Sequence, residues 1–454
     1  LNRNITTCLV KQAGFFLENK MSYEGKNLET IALHSGWRND ENTGSVAVPI
    51  HQTTSYQFND TAHAASLFGL QEFGNIYTRI MNPTCDVLEQ RMAALDGGVA
   101  GLAVASGQTA SAYSIQNVAR AGDNIVSSAH LYGGTYNQFK NNLKEMGIEV
   151  RFVDPTDPNN FESATDDKTR AYFAETLPNP KLQVFPIAEV ADIGRKHGIP
   201  LIVDNTAAPV LCRPFDHGAA VTTYSTTKYI GGHGTTIGGL ILDGGNFDWG
   251  GAGADRQPAL NTPDPCYGGV VWDEQVTKNM GLPFAYLLKL RTTLLRDLGG
   301  AMSPFSAWMF IQGLETLPLR MREHAKNAQA VAEFLENNDK VQSVTYPGLF
   351  EGAEKEKADK YMKGGYGALI GFELPGGKEA GSKFIDSLEL LYHVANIGDS
   401  RSLAIHPATT THSQLAPEEQ LSAGVTPGYV RLSIGIEHVD DIIADISQAL
   451  DKAS

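Results

Sequence analysis

The stretch "PLIVDNTAAPVLCRPFDHGAAVTTYSTTKYIGGHG" (residues 200–234) contains two short apolar runs followed by a lysine among small, hydroxylated neighbours. The runs "PLIVDN" and "VTTYS" have the length and composition of buried strands, and the residues between them suffice for a helix-sized connection. Asp204 ends the first run, Ser225 ends the second, and Lys228 follows three residues later. Because a solvated surface lysine needs no such surroundings, the pattern indicates a lysine that is buried in order to react.

Similar apolar runs precede this stretch and alternate with helical segments such as 106–120 and 182–198. Further strands are predicted at residues 101–106, 124–128, 148–153 and 171–176. This alternation predicts an α/β fold with a mainly parallel sheet and helices on both faces. Ligands of such sheets bind beyond the carboxyl ends of the strands. The polar residues that close the runs are therefore candidate site residues, namely Ser106, Glu175, Asp204 and Ser225.

The regular alternation of strands and helices covers a region that we assign to residues 85–295. The regions on either side lack this alternation. Residues 21–84 are polar and weakly periodic, and we expect them to form an extended arm that packs on something else. Residues 296–454 combine a long helical stretch with short strands and a final amphipathic helix, which predicts a smaller α+β domain. We expect residues 1–20 to be a loose or non-native extension, with the start at Met21. Residues 243–285 are a long Gly-, Pro- and Trp-rich insert, and such loops are often functional.

Composition excludes several classes of protein. The net charge of −15 without a basic run argues against nucleic-acid or anionic-membrane partners. No apolar stretch approaches the roughly 18 residues of a spanning helix. The four cysteines form no C-x-x-C pair, so neither a zinc site nor a disulfide framework is predicted, and a reducing, cytoplasmic compartment fits best. The histidines lack ligand spacing, so no metal is expected.

Lys228, Asp204 and the Ser106–Gly107 pair suit one cofactor. Pyridoxal phosphate needs a lysine for covalent attachment, an acid that keeps its ring nitrogen protonated, and a phosphate site. The helix predicted after Ser106 offers its N-terminal N–H groups to an anion. Each feature alone has an ordinary explanation as a solvated lysine, a loop aspartate or a helix cap, so their order along the chain carries the hypothesis.

Several longer motifs resemble one known family. They are "YTRIMNPT" (77–84), "ASGQTA" (105–110), "LYGGTY" (131–136), "ETLPNP" (175–180), "VDNT" (203–206), "STTKYIGGHG" (225–234), "IHPATTTHSQL" (405–415) and "GYVRLSIGIE" (428–437). Together they make the chain similar to the Cys/Met-metabolism pyridoxal-phosphate enzymes from about residue 27 onward. The resemblance implies the fold type I transferase architecture, a seven-stranded sheet, and a pyridoxal-phosphate-binding domain at 85–295 with the C-terminal domain at 296–454.

The resemblance also implies roles around the cofactor. Lys228 would carry it, Asp204 would pair with the ring nitrogen, and Tyr132 would stack on the ring. Asn179 would hydrogen-bond the phenolic oxygen. The residues expected to hold the phosphate within one subunit are Ser106, Gly107, Gln108, Ser225 and Thr227.

Four further residues have roles on the same basis. Tyr77 and Arg79, on the arm, would reach the site of a neighbouring subunit, and Tyr77 would assist proton transfer near the substrate amine. Arg431 would bind the substrate α-carboxylate as a bidentate fork. Asn396 would help position the substrate, although many relatives have serine there. Without the resemblance, Tyr77 is equally an aromatic packing contact and Arg79 a surface ion pair.

Within the family the chain most resembles the members that convert O-acetyl-L-homoserine and sulfide, or a thiol, to L-homocysteine, or methionine, and acetate. Three alternatives stay open on the same scaffold: cystathionine γ-synthase, O-succinylhomoserine sulfhydrylase and methionine γ-lyase activity. A catalytically silent, cofactor-binding relative is a fourth. The family implies a homo-oligomer, with a dimer as the minimum and a tetramer expected.

Overall fold

The computed structural model describes residues 23, 25–251, 253–411, 413, 416–422 and 424–453. The expectations for residues 1–20 and for a start at Met21 lie outside the described residues. Two sheets organise the described part of the chain, a large one of seven strands and a small one of five.

The large sheet is mainly parallel, as predicted. Its strands are β1 (Ala100–Val104), β2 (Asn124–Ser128), β3 (Glu149–Val153), β4 (Thr169–Glu175), β5 (Leu201–Asp204), β6 (Val221–Ser225) and β7 (Gly239–Asp243). They lie in the order β1-β7-β6-β5-β4-β2-β3, and only β7 runs antiparallel to its neighbours. The six runs identified in the sequence are confirmed. Strand β7 is not among the predicted strands, and its apolar residues directly follow the glycine-rich segment after Lys228.

Side chains of the central strands alternate between two hydrophobic cores. On β4, Tyr172 belongs to one core and Phe173 to the other, and on β5 Val203 and Ile202 divide in the same way. This period of two means that the sheet buries both faces, so helices must cover both.

The helices that precede or flank this sheet are α1 (Leu28–His34), α2 (Thr61–Phe68), α3 (Pro83–Asp96), α4 (Gly107–Gln116), α5 (Gly133–Asn137), α6 (Asn159–Ser163) and α7 (Ile187–Lys196). The insert forms α8 (Pro258–Asn261) and leads to α9 (Ala285–Leu290) and α10 (Arg296–Leu298). Short π-helical segments occur at Gln138–Leu143, Asp273–Asn279 and Arg291–Leu295. Short 3-10 segments occur at Pro214–His217, Ala254–Arg256 and Pro265–Tyr267.

Two helical expectations need correction. The connection between β5 and β6 holds only the 3-10 turn Pro214–His217, because Pro214 lacks an N–H and Val210 has a positive φ of 57°. The helix expected from residue 182 begins at Ile187, since Leu182 also has a positive φ (55°) and Pro186 precedes the helix. Because β5 and β6 are parallel neighbours, Asp204 and the Lys228 loop lie at the same edge of the sheet.

The smaller domain is an antiparallel sheet flanked by helices. Its strands are β8 (Ser343–Thr345), β9 (Leu369–Glu373), β10 (Tyr392–His393), β11 (Leu403–Ile405) and β12 (Tyr429–Ser433). Its helices are α11 (Pro304–Glu315), α12 (Leu317–Glu336), α13 (Gly352–Tyr361), α14 (Gly377–Ser387), α15 (Pro417–Ser422) and α16 (Val439–Ala453), with 3-10 segments at Pro347–Leu349 and Pro407–Thr409. Strand β12 lies between β11 and β9, and only β10 pairs in parallel.

The arm carries little regular structure beyond α1 and α2. Near its end Ser55 forms an isolated antiparallel bridge with Tyr77. The expectation that residues 21–84 serve a neighbouring subunit stays a prediction, as do the domain limits at 85, 295 and 296. Residue 85 falls inside α3, and residue 295 falls inside one continuous helical run, from Ala285 to Leu298.

Candidate active site

The carboxyl ends of β4, β5 and β6 gather most of the predicted site residues. Glu175 and Asp204 are register partners at the ends of β4 and β5. Ser225 ends β6, and its N–H donates to the Thr206 hydroxyl at 2.8 Å. Thr206 N–H in turn donates to the Asp204 carboxylate at 2.9 Å. Short polar links therefore connect the β5 and β6 ends just before the chain reaches Lys228.

Lys228 lies in a tight turn after β6. Its N–H donates to the Ser225 carbonyl at 3.2 Å, and its own carbonyl accepts from Gly232 N–H at 2.8 Å. Its ammonium donates to Asn396 Oδ1 at 2.6 Å. Burial, and secondly the charge of Arg431, lower the pKa of Lys228 to about 8. The lowered pKa makes the neutral, nucleophilic amine far more abundant near neutral pH than it is for an ordinary lysine.

Arg431 approaches the same lysine from the smaller domain. It is central in β12, where its register partners are Gly371 and Ile405, and it is 6% exposed. Its Nη2 donates to the Asn396 carbonyl at 2.7 Å, whereas its buried Nε has no hydrogen-bond partner. Asn396 therefore touches both Lys228 and Arg431. A buried, incompletely bonded guanidinium is suited to receive a carboxylate.

Asp204 and Glu175 place two carboxyl groups side by side at the end of the sheet. Burial raises the pKa of Asp204, against the opposing effect of hydrogen bonds from Thr206. Burial, and secondly the charge of Asp204, raise the pKa of Glu175. Neither carboxylate has a salt bridge within the part of the chain that the structure describes. The pair therefore holds its protons tightly on its own, and a cationic group beside it would favour the charged, deprotonated form.

Tyr132 and Asn179 flank this pair. Tyr132 N–H donates to Glu175 Oε1 at 2.7 Å, and the Asn179 backbone N–H also donates to Glu175. The side chain of Tyr132 is half exposed. An aromatic ring left open at the mouth of a polar site offers a face on which a flat ligand can stack.

The start of α4 supplies the other side of the site. Ser106 caps the helix, and its hydroxyl accepts from Thr109 N–H at 3.1 Å. A Cβ at Gly107 would lie 2.7 Å from Cβ of Ser225, so only glycine lets the helix N-terminus approach the β6 end this closely. Gln108 contacts the Thr135 hydroxyl at 3.4 Å. Thr227 accepts from Gly238 N–H at 3.1 Å.

Tyr77 and Arg79 lie apart from these residues. The Arg79 guanidinium is 5.2 Å from the centre of the Tyr77 ring, and both side chains are exposed. Among the hydrogen bonds and ion pairs of the described residues, none joins either of them to Lys228, Asp204 or Ser106. Within one chain, therefore, the structure brings together eleven of the thirteen predicted site residues and leaves these two outside.

These features fit pyridoxal phosphate. A lysine amine of lowered pKa faces the site, a buried carboxylate pair has no cation, a helix N-terminus opens beside two hydroxyl residues, and Arg431 has a free buried N–H. Lys228 would hold the aldehyde carbon, Asp204 the ring nitrogen, and the Ser106–Gln108 helix start the phosphate.

No group of three or more His, Cys, Asp or Glu side chains is arranged to hold a metal ion among the residues that the structure describes. Among the helices described there, none combines the length and apolar character needed to cross a membrane.

Two residues near the site received no role from the sequence. Glu175 was noticeable only as a strand-closing residue. Arg320, on α12, donates to the carbonyls of Tyr229 (2.7 Å) and Ile230 (3.2 Å), directly after Lys228. Because its partners are backbone carbonyls distant in sequence, no motif could have revealed Arg320.

The chain is similar to one family of known proteins. Residues 29–451 match the model of the Cys/Met metabolism PLP-dependent enzyme family. The chain is 55% identical to the O-acetyl-L-homoserine sulfhydrylase of Leptospira meyeri (93% of this chain, 96% of that protein) and 48% identical to the homocysteine synthase of Schizosaccharomyces pombe (95% and 100%). A Campylobacter jejuni crystal structure that contains N'-pyridoxyl-lysine-5'-monophosphate superposes with a TM-score of 0.88 at 42% identity (94% and 100%).

Proposed function

The chain belongs to the Cys/Met metabolism PLP-dependent enzyme family, and from this premise we propose that it is an O-acetylhomoserine sulfhydrylase. The reaction replaces the γ-acetoxy group of O-acetyl-L-homoserine by sulfide, giving L-homocysteine and acetate in methionine biosynthesis. The assignment of the substrate is supported by the names of relatives such as those of Leptospira meyeri and Thermus thermophilus, which are 55% and 50% identical. The observation that carries the catalytic assignment is Lys228, a buried lysine that donates to Asn396 and whose pKa is lowered by burial and by the charge of Arg431.

Substrate binding is assigned to Arg431 and Asn396. The α-carboxylate of the amino-acid substrate would take the free Nε–H of Arg431, which is buried without a partner. Asn396 orients this guanidinium through its carbonyl. Since the Asn396 amide also bonds Lys228, one residue aligns the carboxylate-binding group with the catalytic amine.

Proton transfer is assigned to Lys228 Nζ. Pyridoxal phosphate, when bound, withdraws electrons from the substrate α-carbon and so makes its proton acidic. The neutral Lys228 amine would take the α proton and release it to the bound cofactor. Neutral again, it would take a β proton, and the α and β carbons would regain their protons after sulfide has added. Between these transfers the Cγ–O bond breaks, acetate leaves with the bonding pair, and sulfide forms the Cγ–S bond. The pKa of about 8 suits a base that must accept and return protons near neutral pH.

The assembly is proposed to be at least a homodimer, with a tetramer expected. Tyr77 and Arg79 are exposed and unconnected to the site of their own chain, and in a second copy they would complete it. We further assign the enzyme to a reducing, cytoplasmic compartment. Support comes from Cys85 and Cys212, which are buried free thiols.

One assay panel tests the assignment against its alternatives. O-Acetylhomoserine, O-succinylhomoserine, cysteine and methionine are each supplied with and without sulfide, and the products are identified by mass spectrometry. We expect homocysteine from O-acetylhomoserine plus sulfide at the highest kcat/KM. Preferred turnover of the succinyl ester, of cysteine plus a homoserine ester, or of methionine alone would reassign the chain to one of the three other activities. Absence of any turnover, with cofactor bound, would indicate a catalytically silent relative.

The attachment point is tested separately. Borohydride reduction of the holoenzyme followed by peptide mapping is expected to find the pyridoxyl group on Lys228. A label on any other lysine, or none, would contradict the assignment of the catalytic amine.

A further inference from the structure

The site contains one buried carboxylate more than the proposed function uses. Glu175 is the last residue of β4, is 8% exposed, and lies directly beside Asp204 in the register of the parallel pair β4–β5. Side chains of register partners on neighbouring strands point to the same face of the sheet. Glu175 therefore shares its surroundings with the carboxylate assigned to the cofactor ring.

Glu175 also holds the two loops that flank this carboxylate. Its Oε1 accepts from Tyr132 N–H at 2.7 Å, on the loop after β2. It accepts as well from the backbone N–H of Asn179, on the loop after β4 itself. The residue assigned to stack on the ring and the residue assigned to its phenolic oxygen are thus both attached to Glu175.

Nearby cations are already engaged with other partners. Lys357, which lines the same small cleft as Glu175, is paired with Glu354 at 2.8 Å. Lys181 is bonded to His130 at 2.9 Å, and burial together with Lys181 lowers the pKa of His130 to about 4, so that the imidazole is neutral. Lys228 donates to Asn396.

Two adjacent buried carboxylates are costly when no cation lies beside them. A buried like-charged pair holds protons more tightly than isolated groups do. A cation placed between or beside them removes this cost. The protonated ring nitrogen of pyridoxal phosphate is such a cation.

We propose that Glu175 is a positioning residue that acts through Asp204 and Tyr132, as the second carboxylate of a two-carboxylate site for the cationic cofactor ring. This inference rests on the proposed function, since it takes Lys228 and Asp204 as the cofactor site. Its distinctive consequence is that the Glu175 charge lowers the stability of the cofactor-free protein and raises its affinity for the cofactor.

The pH dependence follows from the direction of the pKa shifts. Asp204 and Glu175 both have pKa values raised above those of the unfolded chain. Groups of this kind bind protons more tightly in the folded state, so their contribution to stability is full below the unfolded pKa values and is lost as pH rises through the folded ones. Removing the Glu175 charge should therefore benefit the cofactor-free protein more at pH 8 than at pH 5.

The test uses Glu175→Gln in the full-length chain. Glutamine keeps an oxygen that can accept from Tyr132 and Asn179 but removes the charge. Urea unfolding of the cofactor-free protein is compared at pH 5 and pH 8, and cofactor dissociation constants are measured by equilibrium dialysis at pH 8. Glu145→Gln, an exposed glutamate in the same large domain, is the matched control.

We expect the free energy of unfolding of cofactor-free Glu175→Gln, relative to wild type, to be more favourable at pH 8 than at pH 5. Its dissociation constant for pyridoxal phosphate should rise about tenfold, which is the effect of one pK unit on the ring proton. Glu145→Gln should change neither. A variant destabilised equally at both pH values with unchanged affinity would show a purely structural role and overturn the inference. If the wild type itself bound no cofactor at Lys228, the proposed function would fail first, which the peptide map detects independently.

Discussion

At the scale of single residues, the site depends on a cation placed close to a lysine. Burial is the larger cause that disfavours the ammonium form of Lys228, and the charge of the nearby Arg431 adds to it, so that together they lower the pKa of Lys228. The same guanidinium keeps a free N–H for a substrate carboxylate. One buried arginine thus activates the base and binds the substrate.

Arg431→Lys tests this double role. Lysine keeps the charge but cannot present two N–H groups to one carboxylate, and it loses the contact with the Asn396 carbonyl. We expect KM for O-acetylhomoserine to rise about 10- to 100-fold, the equivalent of one charged hydrogen bond, while the cofactor is retained. Steady-state kinetics and the visible absorption of the cofactor measure the two effects. An unchanged KM would contradict the assigned carboxylate contact, and the conservative Lys326→Arg on the exposed part of α12 serves as the control.

At the scale of secondary-structure elements, α4 and the Lys228 loop must approach each other closely. Gly107 begins α4 against Ser225, and Gly239 at the start of β7 lies against the Ser106 carbonyl, where a Cβ would be only 2.2 Å from the oxygen. On the far side, Ser400 N–H donates to the Gly232 carbonyl at 2.8 Å, and Arg320 binds the carbonyls of Tyr229 and Ile230. The loop that carries Lys228 is consequently fixed by elements of both domains.

Gly107→Ala tests the approach of α4. The added methyl would meet Ser225 at 2.7 Å, so the helix start must shift. We expect a loss of about 1–3 kcal/mol in the free energy of unfolding, as for overpacking, together with weaker cofactor binding. Gly133→Ala is the matched control, because Gly133 also begins a helix after a strand end and a Cβ there meets nothing within 4 Å. Equal behaviour of the two variants would argue against a close approach at Gly107.

At the scale of the whole molecule, the site lies where the two domains meet, and it lacks Tyr77 and Arg79 from its own chain. If these two residues complete the site of a second copy, two inactive variants can restore each other. In a mixed dimer of Lys228→Ala and Arg79→Ala subunits, one site carries both defects and the other carries none.

Co-expression of differently tagged Lys228→Ala and Arg79→Ala subunits is expected to recover about a quarter of wild-type activity, because half of the randomly formed dimers are mixed and half of their sites are intact. The control pairs Lys228→Ala with Arg431→Ala. Both of these defects fall in the site of their own subunit, so no intact site can form. No recovery in the test pair would show that Arg79 acts within its own chain, whereas recovery in the control would contradict the placement of Lys228 and Arg431 in one subunit's site.

The sequence by itself determined the alternation of strands and helices, the residues that close the strands, and the lysine loop after β6. These are local properties, since apolar period, cap residues and turn residues act over a few neighbouring positions. The motifs that resemble the family indicated Arg431 and Asn396 as site residues, but they could not show which residues these two contact.

Only the tertiary structure decided which of these residues touch. Lys228 and Asn396 are 168 residues apart, and they meet because the smaller domain docks on the loop after β6. Glu175 lies beside Asp204 because β4 and β5 are neighbours in the sheet, and Arg320 meets the lysine loop through backbone carbonyls. Strand order, domain docking and burial depend on the whole chain, so the shifts in pKa that they cause cannot be read from any short stretch of it.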